Sequence, residues 1–383
     1  MIPTLCTIQN CTYCQACTAV CQHGAINFIF DAHGYASPCI DTTKCVECGL
    51  CEKCCPTINP PQPNNKLLAT YALYSKNKKI VAQSSSGGVF SEIATQVIDQ
   101  GGCVFGVISN NGNFEYACAN KPAEIEPMRG SKYMQAEISS ALINAKKALC
   151  NGRKVLFTGT PCQIAALRNY LRKDYSELLT TLEVICHGIP SKKIFDRCME
   201  MTGITPEQYR EIAFRDYRVW SYLTKYRNRK NKWQSLFWRN DIYMKLFMRM
   251  TIYKPACYTC PYARLPRIAD LTMGDFWGIK SSNTFKKNPF GTSVLLVNTT
   301  TGQKIWDKIK DHFIFEQRPI EEAARLNHNI VQPTPYPKER DEVLTDLFSL
   351  DKKNFVHKYN LNITLRNIIG YTLRSIKKIY APR

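Results

Sequence analysis

What the chain lacks narrows it first. No stretch approaches the eighteen uncharged apolar residues of a membrane-spanning helix. No G-x-G-x-x-G run falls between a strand and a helix, and no G-x4-G-K-S/T loop is present, so neither standard nucleotide site is expected. The opening segment MIPTLCTIQNC has neither the basic n-region nor the apolar h-region of a secretory leader, which points to the cytoplasm. Acidic residues are scarce, with 31 Asp+Glu against 51 Lys+Arg and a formal charge of +20. That excess suits an acidic electron carrier, a phosphorylated cofactor or substrate, an anionic membrane surface or nucleic acid, without choosing among them.

Cysteine, by contrast, is abundant, with 19 in 383 residues. In a reducing compartment that usage speaks for metal binding or redox chemistry, not for a disulfide scaffold. Cys11, Cys14, Cys17 and Cys21 are spaced C-x2-C-x2-C-x3-C. Cys45, Cys48, Cys51 and Cys55 repeat the pattern and are followed by Pro56. Three thiolates two residues apart wrap one face of an iron–sulfur cubane, and the fourth reaches the other cluster, as in bacterial two-cluster ferredoxins. One 4Fe-4S cluster is therefore assigned to Cys11, Cys14, Cys17 and Cys55, the other to Cys45, Cys48, Cys51 and Cys21. Zinc needs only paired C-x2-C units, and the third cysteine of each triplet would be surplus to it. Gln22 stands where many such runs carry proline, a turn-shaping residue and not a ligand.

The chain divides by composition. Residues 1–58 form the cysteine-rich ferredoxin-like module, and 59–70 a Pro/Asn-rich linker expected to be stiff and extended. Strand-like and helix-like segments alternate from about 71 to 335, in two parts, 71–150 and 151–335. Residues 336–383 begin with a Pro-rich stretch and end in a basic, amphipathic tail. The expected fold is α/β with α+β elements: a small iron–sulfur domain followed by a mixed α/β domain.

In the second part, the apolar strand Lys154–Phe157 runs through Thr158-Gly159-Thr160-Pro161-Cys162 into a helix. Leu182–Ile185 leads similarly into Cys186-His187-Gly188. A strand–helix–strand unit of this length favours a parallel crossover, which ends both strands at one sheet edge. Cys162 and Cys186 would then converge there, with Cys162 in a first helical turn where a thiolate is favoured. Downstream Cys257-Tyr258-Thr259-Cys260-Pro261 supplies a further C-x2-C. Four soft ligands suffice for a third cubane; the competing reading makes Cys162 and Cys186 buried apolar cysteines and the C-x2-C a lone redox pair. Ser84-Ser85-Ser86-Gly87-Gly88, before an apolar-periodic helix, is either an anion grip or an ordinary cap and turn.

Ser85-Ser86-Gly87-Gly88-Val89-Phe90, Gly130-Ser131-Lys132-Tyr133, Gly159-Thr160-Pro161-Cys162-Gln163, Cys186-His187-Gly188, Cys257-x-x-Cys260-Pro261-Tyr262 and Asp270–Gly278 occur in that order. Together, over roughly residues 71–300, they resemble the family of coenzyme F420 hydrogenase/dehydrogenase beta subunits, which also contains the plant 7-hydroxymethyl-chlorophyll reductase. The resemblance implies FAD beside an iron–sulfur cluster, with electrons passing between ferredoxin-type centres and an organic acceptor. It implies a third 4Fe-4S cluster on Cys162, Cys186, Cys257 and Cys260. It also implies cofactor contacts at Ser85, Ser86, Gly87, Gly88, Arg129, Ser131, Lys132, Thr160 and Trp277, and catalytic roles for Lys132, His187 and Asp275. His187 has a plain alternative as a hydrogen-bonded structural histidine, and Trp277 as core. The remaining Cys6, Cys39, Cys54, Cys103, Cys118, Cys150 and Cys198 are expected to be non-ligands, since twelve positions already close three cubes.

Between Arg215 and Lys254 cations alternate with aromatics, as in Lys225, Tyr226, Arg227 and Trp233. Hairpins with one buried face account for this, as would docking of an acidic carrier or base stacking on nucleic acid. The tail from Asn362 has an apolar face including Leu365, Ile369 and Ile376, suited to docking on the core or to an anionic membrane at the inner face. The function expected is an iron–sulfur flavoprotein oxidoreductase acting on a small organic acceptor. Its rivals are an electron-relay subunit working with a partner redox subunit, and an iron–sulfur nucleic-acid-binding protein.

Overall fold

A computed structural model describes residues 1–64, 66–216, 221–236 and 241–361. Arg218, Trp220, Phe237, Trp238, Arg239 and the amphipathic tail from Asn362 lie outside the described residues.

The duplicated cysteine run produces a duplicated backbone. Tyr13 and Glu47, each two residues after the first cysteine of its run, both have φ of 55°. Gln15 and Gly49, each just after the second cysteine, have φ of 57° and 68°. Left-handed turns at matching places give the two loops the same local path, although the conformation costs a non-glycine residue about 1–2 kcal/mol. Short helices follow, α1 (Ala16–Val20) and α2 (Leu50–Cys54). An antiparallel hairpin of β1 (Ile26–Phe30) and β2 (Ala36–Ile40) completes the module.

The body is built on one eight-stranded mixed sheet. Its strands are β3 (Ala69–Ser75), β4 (Cys103–Asn110), β5 (Asn113–Ala119), β6 (Val155–Gly159), β7 (Leu179–Val184), β11 (Leu271–Asp275), β12 (Ser293–Val297) and β13 (Phe313–Gln317), in the order β13-β3-β12-β11-β7-β6-β4-β5. Asn111-Gly112, with φ of 46° and 74°, makes the tight turn between β4 and β5, where a primed turn matches strand twist. The parallel crossover expected around Cys162 is present, Val155 pairing with Leu179 and Gly159 with Glu183. β11 extends the parallel set on β7. Because β4 pairs with β6 across the 150/151 boundary, the two parts of the body share one sheet and one core.

Helices cover this sheet: α3 (Lys78–Ala82), α4 (Val89–Asp99), α5 (Ser139–Cys150), α6 (Pro161–Leu171) and α7 (Lys192–Met201). The cation–aromatic stretch forms a three-stranded antiparallel sheet of β8 (Tyr209–Asp216), β9 (Ser221–Asn228) and β10 (Trp233–Ser235). Lys225 and Arg227 lie over the Trp233 ring at 5.6 and 5.1 Å, the cross-strand packing expected of hairpins. Then come α8 (Ile242–Met248) and α9 (Pro255–Tyr258).

Two boundaries move. The linker is bound and not free: Asn64 donates from its backbone to Arg267 O and from Nδ2 to Ala269 O, and Leu68 N–H to Val297 O. Its last residues, Ala69 and Thr70, already belong to β3. The segment after Pro335 is also part of the core through Arg340–Ser349. Val343, Leu344 and Leu347 are buried there, and Arg340 donates to Tyr253 O amid Tyr35, Tyr258 and Tyr336.

Candidate redox site

The cysteine-rich module is locked to the body. Tyr13 donates from its hydroxyl to Glu137 Oε1 at 3.0 Å, and Gln15 Oε1 accepts the N–H groups of Ile138 and Ser139 at 2.8 and 3.0 Å. Tyr35, fully buried, donates to Ile252 O at 3.0 Å.

Three thiol sets result. Cys11, Cys14, Cys17 and Cys55 line a small cavity together with Leu5 and Phe28. Their thiols act electrostatically on one another, and burial pushes Cys11, Cys14 and Cys17 up. Tyr13 N–H donates to Cys11 Sγ at 3.3 Å, a contact that favours the thiolate. Cys6, set aside on sequence grounds, lies 3.3 Å from Cys55 and shares a hydrogen with it; chiefly for that reason Cys55 falls to about 6. In the second set Cys51 feels Cys48 and Cys21, and Ala25 N–H points at Cys21 Sγ at 3.4 Å. Cys45 is half-buried on the same loop and Cys48 is exposed, so this set faces outward.

The third set is brought together by the sheet. β6, β7 and β11 are parallel and end side by side, which places Cys162 at the start of α6 near Cys186 after β7. α9 and the turn after it bring in Cys257 and Cys260. Cys186 feels all three others, and Cys257 and Cys260 both feel Cys162. Cys162 has the helical position expected, yet its thiol is not lowered. Burial pushes it up, and the Thr160 hydroxyl at 3.2 Å and the Lys254 charge only partly offset this. Thr160 meets Cys162, while its backbone N–H is held by Gln163 Oε1 at 2.9 Å. Within these sets the thiols interact without closing on a common point. Among the described residues no three His, Cys, Asp or Glu side chains are placed to grip a single ion. A cubane binds each thiolate to a different iron and tolerates that wider spacing.

The remaining site residues form one connected network at the same sheet edge. Ser131 N–H donates to Ser85 Oγ at 2.9 Å, and Arg129 Nη1 donates to Gln83 Oε1, tying the two loops together. Arg215, which the sequence marks only as the start of the cation–aromatic stretch, is buried and joins them to Asp275. It donates to Ser85 O at 2.7 Å and to Asp275 Oδ2 at 3.0 Å, with Tyr222 stacked 4.1 Å from its guanidinium. Trp277 Nε1 donates to the same Asp275 oxygen at 3.3 Å, and the Trp277 ring stacks on His187 at 5.0 Å. Asn327 donates to Asp275 O at 3.1 Å, which fixes its amide so that Oδ1 accepts from His187 Nε2 at 3.2 Å. Burial, against the Asn327 bond and the Asp275 charge, holds His187 below the ordinary imidazole range. The sequence signal for Arg215 was the alternation of charge and aromatics. Only the packing of β8 against β4 singles it out.

The glycines have a plainer reason than ligand contact. A Cβ on Gly87 would overlap the Leu73 carbonyl oxygen, and Gly88 sits at φ +88° against Ile80. Gly87 N–H is taken by Ser293 Oγ at 2.8 Å. What is left unsatisfied nearby is Ser86 Oγ and Arg129 Nε, both buried without a hydrogen-bond partner among the described residues. Orphaned polar atoms of this kind suit the oxygens of a phosphate or ribityl chain. Lys132 turns its Nζ back onto the carbonyls of Pro127 and Arg129 at 2.9 and 2.6 Å, and burial lowers it to about 7. A separate cavity of about 870 Å³ opens between module and body, lined by Tyr13, Gln135, Glu137, Lys192, Arg197 and Lys254. None of the site residues expected from sequence lines it.

Comparison with known proteins identifies the family. Residues 70–143 match the N-terminal region, and residues 152–323 the C-terminal region, of the family described as coenzyme F420 hydrogenase/dehydrogenase, beta subunit. The chain belongs to this family, whose members are parts of oxidoreductases. Among relatives, the F subunit of F(420)H(2) dehydrogenase from Methanosarcina mazei is 23% identical over 81% of this chain and 85% of its own length. The beta subunit of coenzyme F420 hydrogenase from Methanosarcina barkeri is 20% identical over 67% of this chain and 84% of its own. A polypeptide of the F420-reducing NiFe hydrogenase complex from M. barkeri, solved after xenon derivatization, superposes with a TM-score of 0.46 at 18% identity, over 76% of this chain and 92% of that one. No helix among the described residues is long and apolar enough to cross a membrane.

Proposed function

We propose that this chain is an iron–sulfur flavoprotein oxidoreductase, with 4Fe-4S clusters on all three thiol sets and FAD at the Ser85–Gly88, Arg129–Lys132 and Asp275–Trp277 loops. The observation that carries it is the convergence of Cys162, Cys186, Cys257 and Cys260 beside a polar network that leads from His187 to Ser85. A flavin supplies the junction between single electrons from clusters and the two-electron chemistry of a closed-shell organic acceptor.

The chain's own residues have distinct parts in this. The outward-facing second set is where an acidic, ferredoxin-like carrier or a partner redox subunit docks. Arg215 and Asp275 brace the loops against each other, and Trp277 and His187 form a stacked wall between network and third set. His187, held neutral with its Nε2 proton on Asn327, orients the wall. Ser86 and Arg129 hold the cofactor's polar chain, and Thr160 donates to Cys162. Lys132 adds positive charge when protonated.

Anaerobic purification followed by iron, sulfide and flavin assays tests the reading. About twelve irons, on the order of four per cluster, and one FAD are expected; a colourless protein would end it. A second reading, a relay subunit whose substrate chemistry belongs to a partner, is favoured by the relatives' names as subunits. Assay of the isolated protein with coenzyme F420 and with artificial dyes separates the two, since a relay reduces only dyes.

A further inference from the structure

The first and third thiol sets lie close enough for Cys11 and Cys162 to act on one another. Lys254 stands between them. It is buried, its Nζ lies 5.0 Å from the centre of the Tyr13 ring, and it donates to Gln135 Oε1 at 3.0 Å. Tyr13 belongs to the loop between Cys11 and Cys14, so the side chain reaches the first set. The backbone of Lys254 serves the third: its N–H donates to Ile189 O at 3.0 Å, and its carbonyl accepts from Cys257 N–H at 2.9 Å. Burial lowers the Lys254 pKa, and the groups that act the other way and favour the ammonium are the thiols of Cys11, Cys257, Cys162 and Cys14, two from each set. A buried cation is costly unless negative charge faces it, and here that charge can come from both sides.

We propose that Lys254 is the shared counter-charge of the first and third clusters, a positioning residue that makes both easier to reduce. The inference rests on the three-cluster reading above. Reduction adds one electron and one negative charge to a cluster and breaks no bond. A fixed cation in a low-dielectric interior stabilises that added charge, and net charge is a main determinant of cluster potential.

The test is an EPR-monitored reductive titration of the anaerobically purified protein and its variants, with iron counted in each. In Lys254→Met, iron stays at the wild-type level. The reduction equilibria of two clusters shift about tenfold toward the oxidised form, or about 59 mV for a one-electron couple. The clusters are assigned by comparison with Cys162→Ser, and the second-set cluster stays in place. Lys254→Arg keeps both potentials near the wild type. Gln135→Glu sets a carboxylate against the ammonium and shifts the same two clusters in the same direction with Lys254 intact, so the proposal can be judged even if Lys254→Met loses iron. Lys193→Met, an exposed cation on the wall of the same cavity, moves neither. Unmoved potentials in fully loaded Lys254→Met or Gln135→Glu overturn the proposal alone. A wild-type count of about eight irons sinks the three-cluster reading, and this proposal with it.

Discussion

The first and third thiol sets each gather four cysteine sulfurs and arrive at them by opposite routes. Cys11 and Cys14 sit on one loop with left-handed turns at Tyr13 and Gln15, Cys17 follows in α1, and only Cys55 comes from elsewhere. Cys162, Cys186, Cys257 and Cys260 come from a helix start, a strand end and a short helix with its turn, positioned by parallel strands β6, β7 and β11. The difference teaches where fragility lies. A set made by a loop depends on local backbone, whereas one made by a sheet edge depends on everything packed beneath it.

The comparison breaks most sharply at Cys162. Cys162→Ser is expected to remove about four irons while the N-terminal pair stays loaded. Iron content equal to the wild type would place no cluster at the sheet edge. Next in size is Arg215→Met, which leaves Asp275 without its buried guanidinium. It should lower stability by about 3–5 kcal/mol and reduce flavin retention, with the iron of residues 1–58 unaffected. Thermal unfolding together with metal analysis would show whether body and module part in this way.

Ser86→Ala sharpens the cofactor assignment by a change of sign. In flavin-free protein it removes a buried hydroxyl without a partner among the described residues, so stability holds or rises. With FAD bound it loses a hydrogen bond of about 1 kcal/mol, roughly fivefold in affinity. Equal effects with and without flavin would remove Ser86 from the cofactor site.

The smallest effect concerns Lys132. Its folded pKa of about 7 lies below the usual 10.5, so the unfolded chain binds the extra proton between those values. Stability of the flavin-free protein should therefore rise as pH increases through that window, and Lys132→Met should flatten the rise. An unchanged slope of unfolding midpoint against pH would mean that Lys132 is solvated.

How much was legible follows the same division. The two cysteine runs, the helix started by Thr160-Pro161, the parallel crossover and the hairpins around Trp233 are local patterns, and local patterns are what a sequence states outright. Arg215, Asn327 and Lys254 carried no such mark. An arginine among tyrosines in a basic stretch reads as a solvated face until β8 is seen packed against the sheet edge. Gly87 and Gly88 read as an anion grip, and the fold adds its own demand for glycine there: close approach to the Leu73 carbonyl at Gly87, and a positive φ against Ile80 at Gly88. The linker reads as a stiff, extended spacer because proline-rich stretches usually are, and residues 336–383 read as a tail set apart from the alternating strands and helices. Here Asn64, Leu68 and Arg340 bond to the body's backbone.

By itself the sequence determined which cysteines repeat at ferredoxin-type spacing, which loops begin helices, and the family those motifs share. Tertiary structure alone decided adjacency, bringing the first set against the third with Lys254 between them and threading Arg215 from Ser85 to Asp275. The reason is physical. Spacing along a chain governs what a loop can wrap, but a contact between residues far apart in the chain exists only once the sheet has fixed its strand order and buried the groups between.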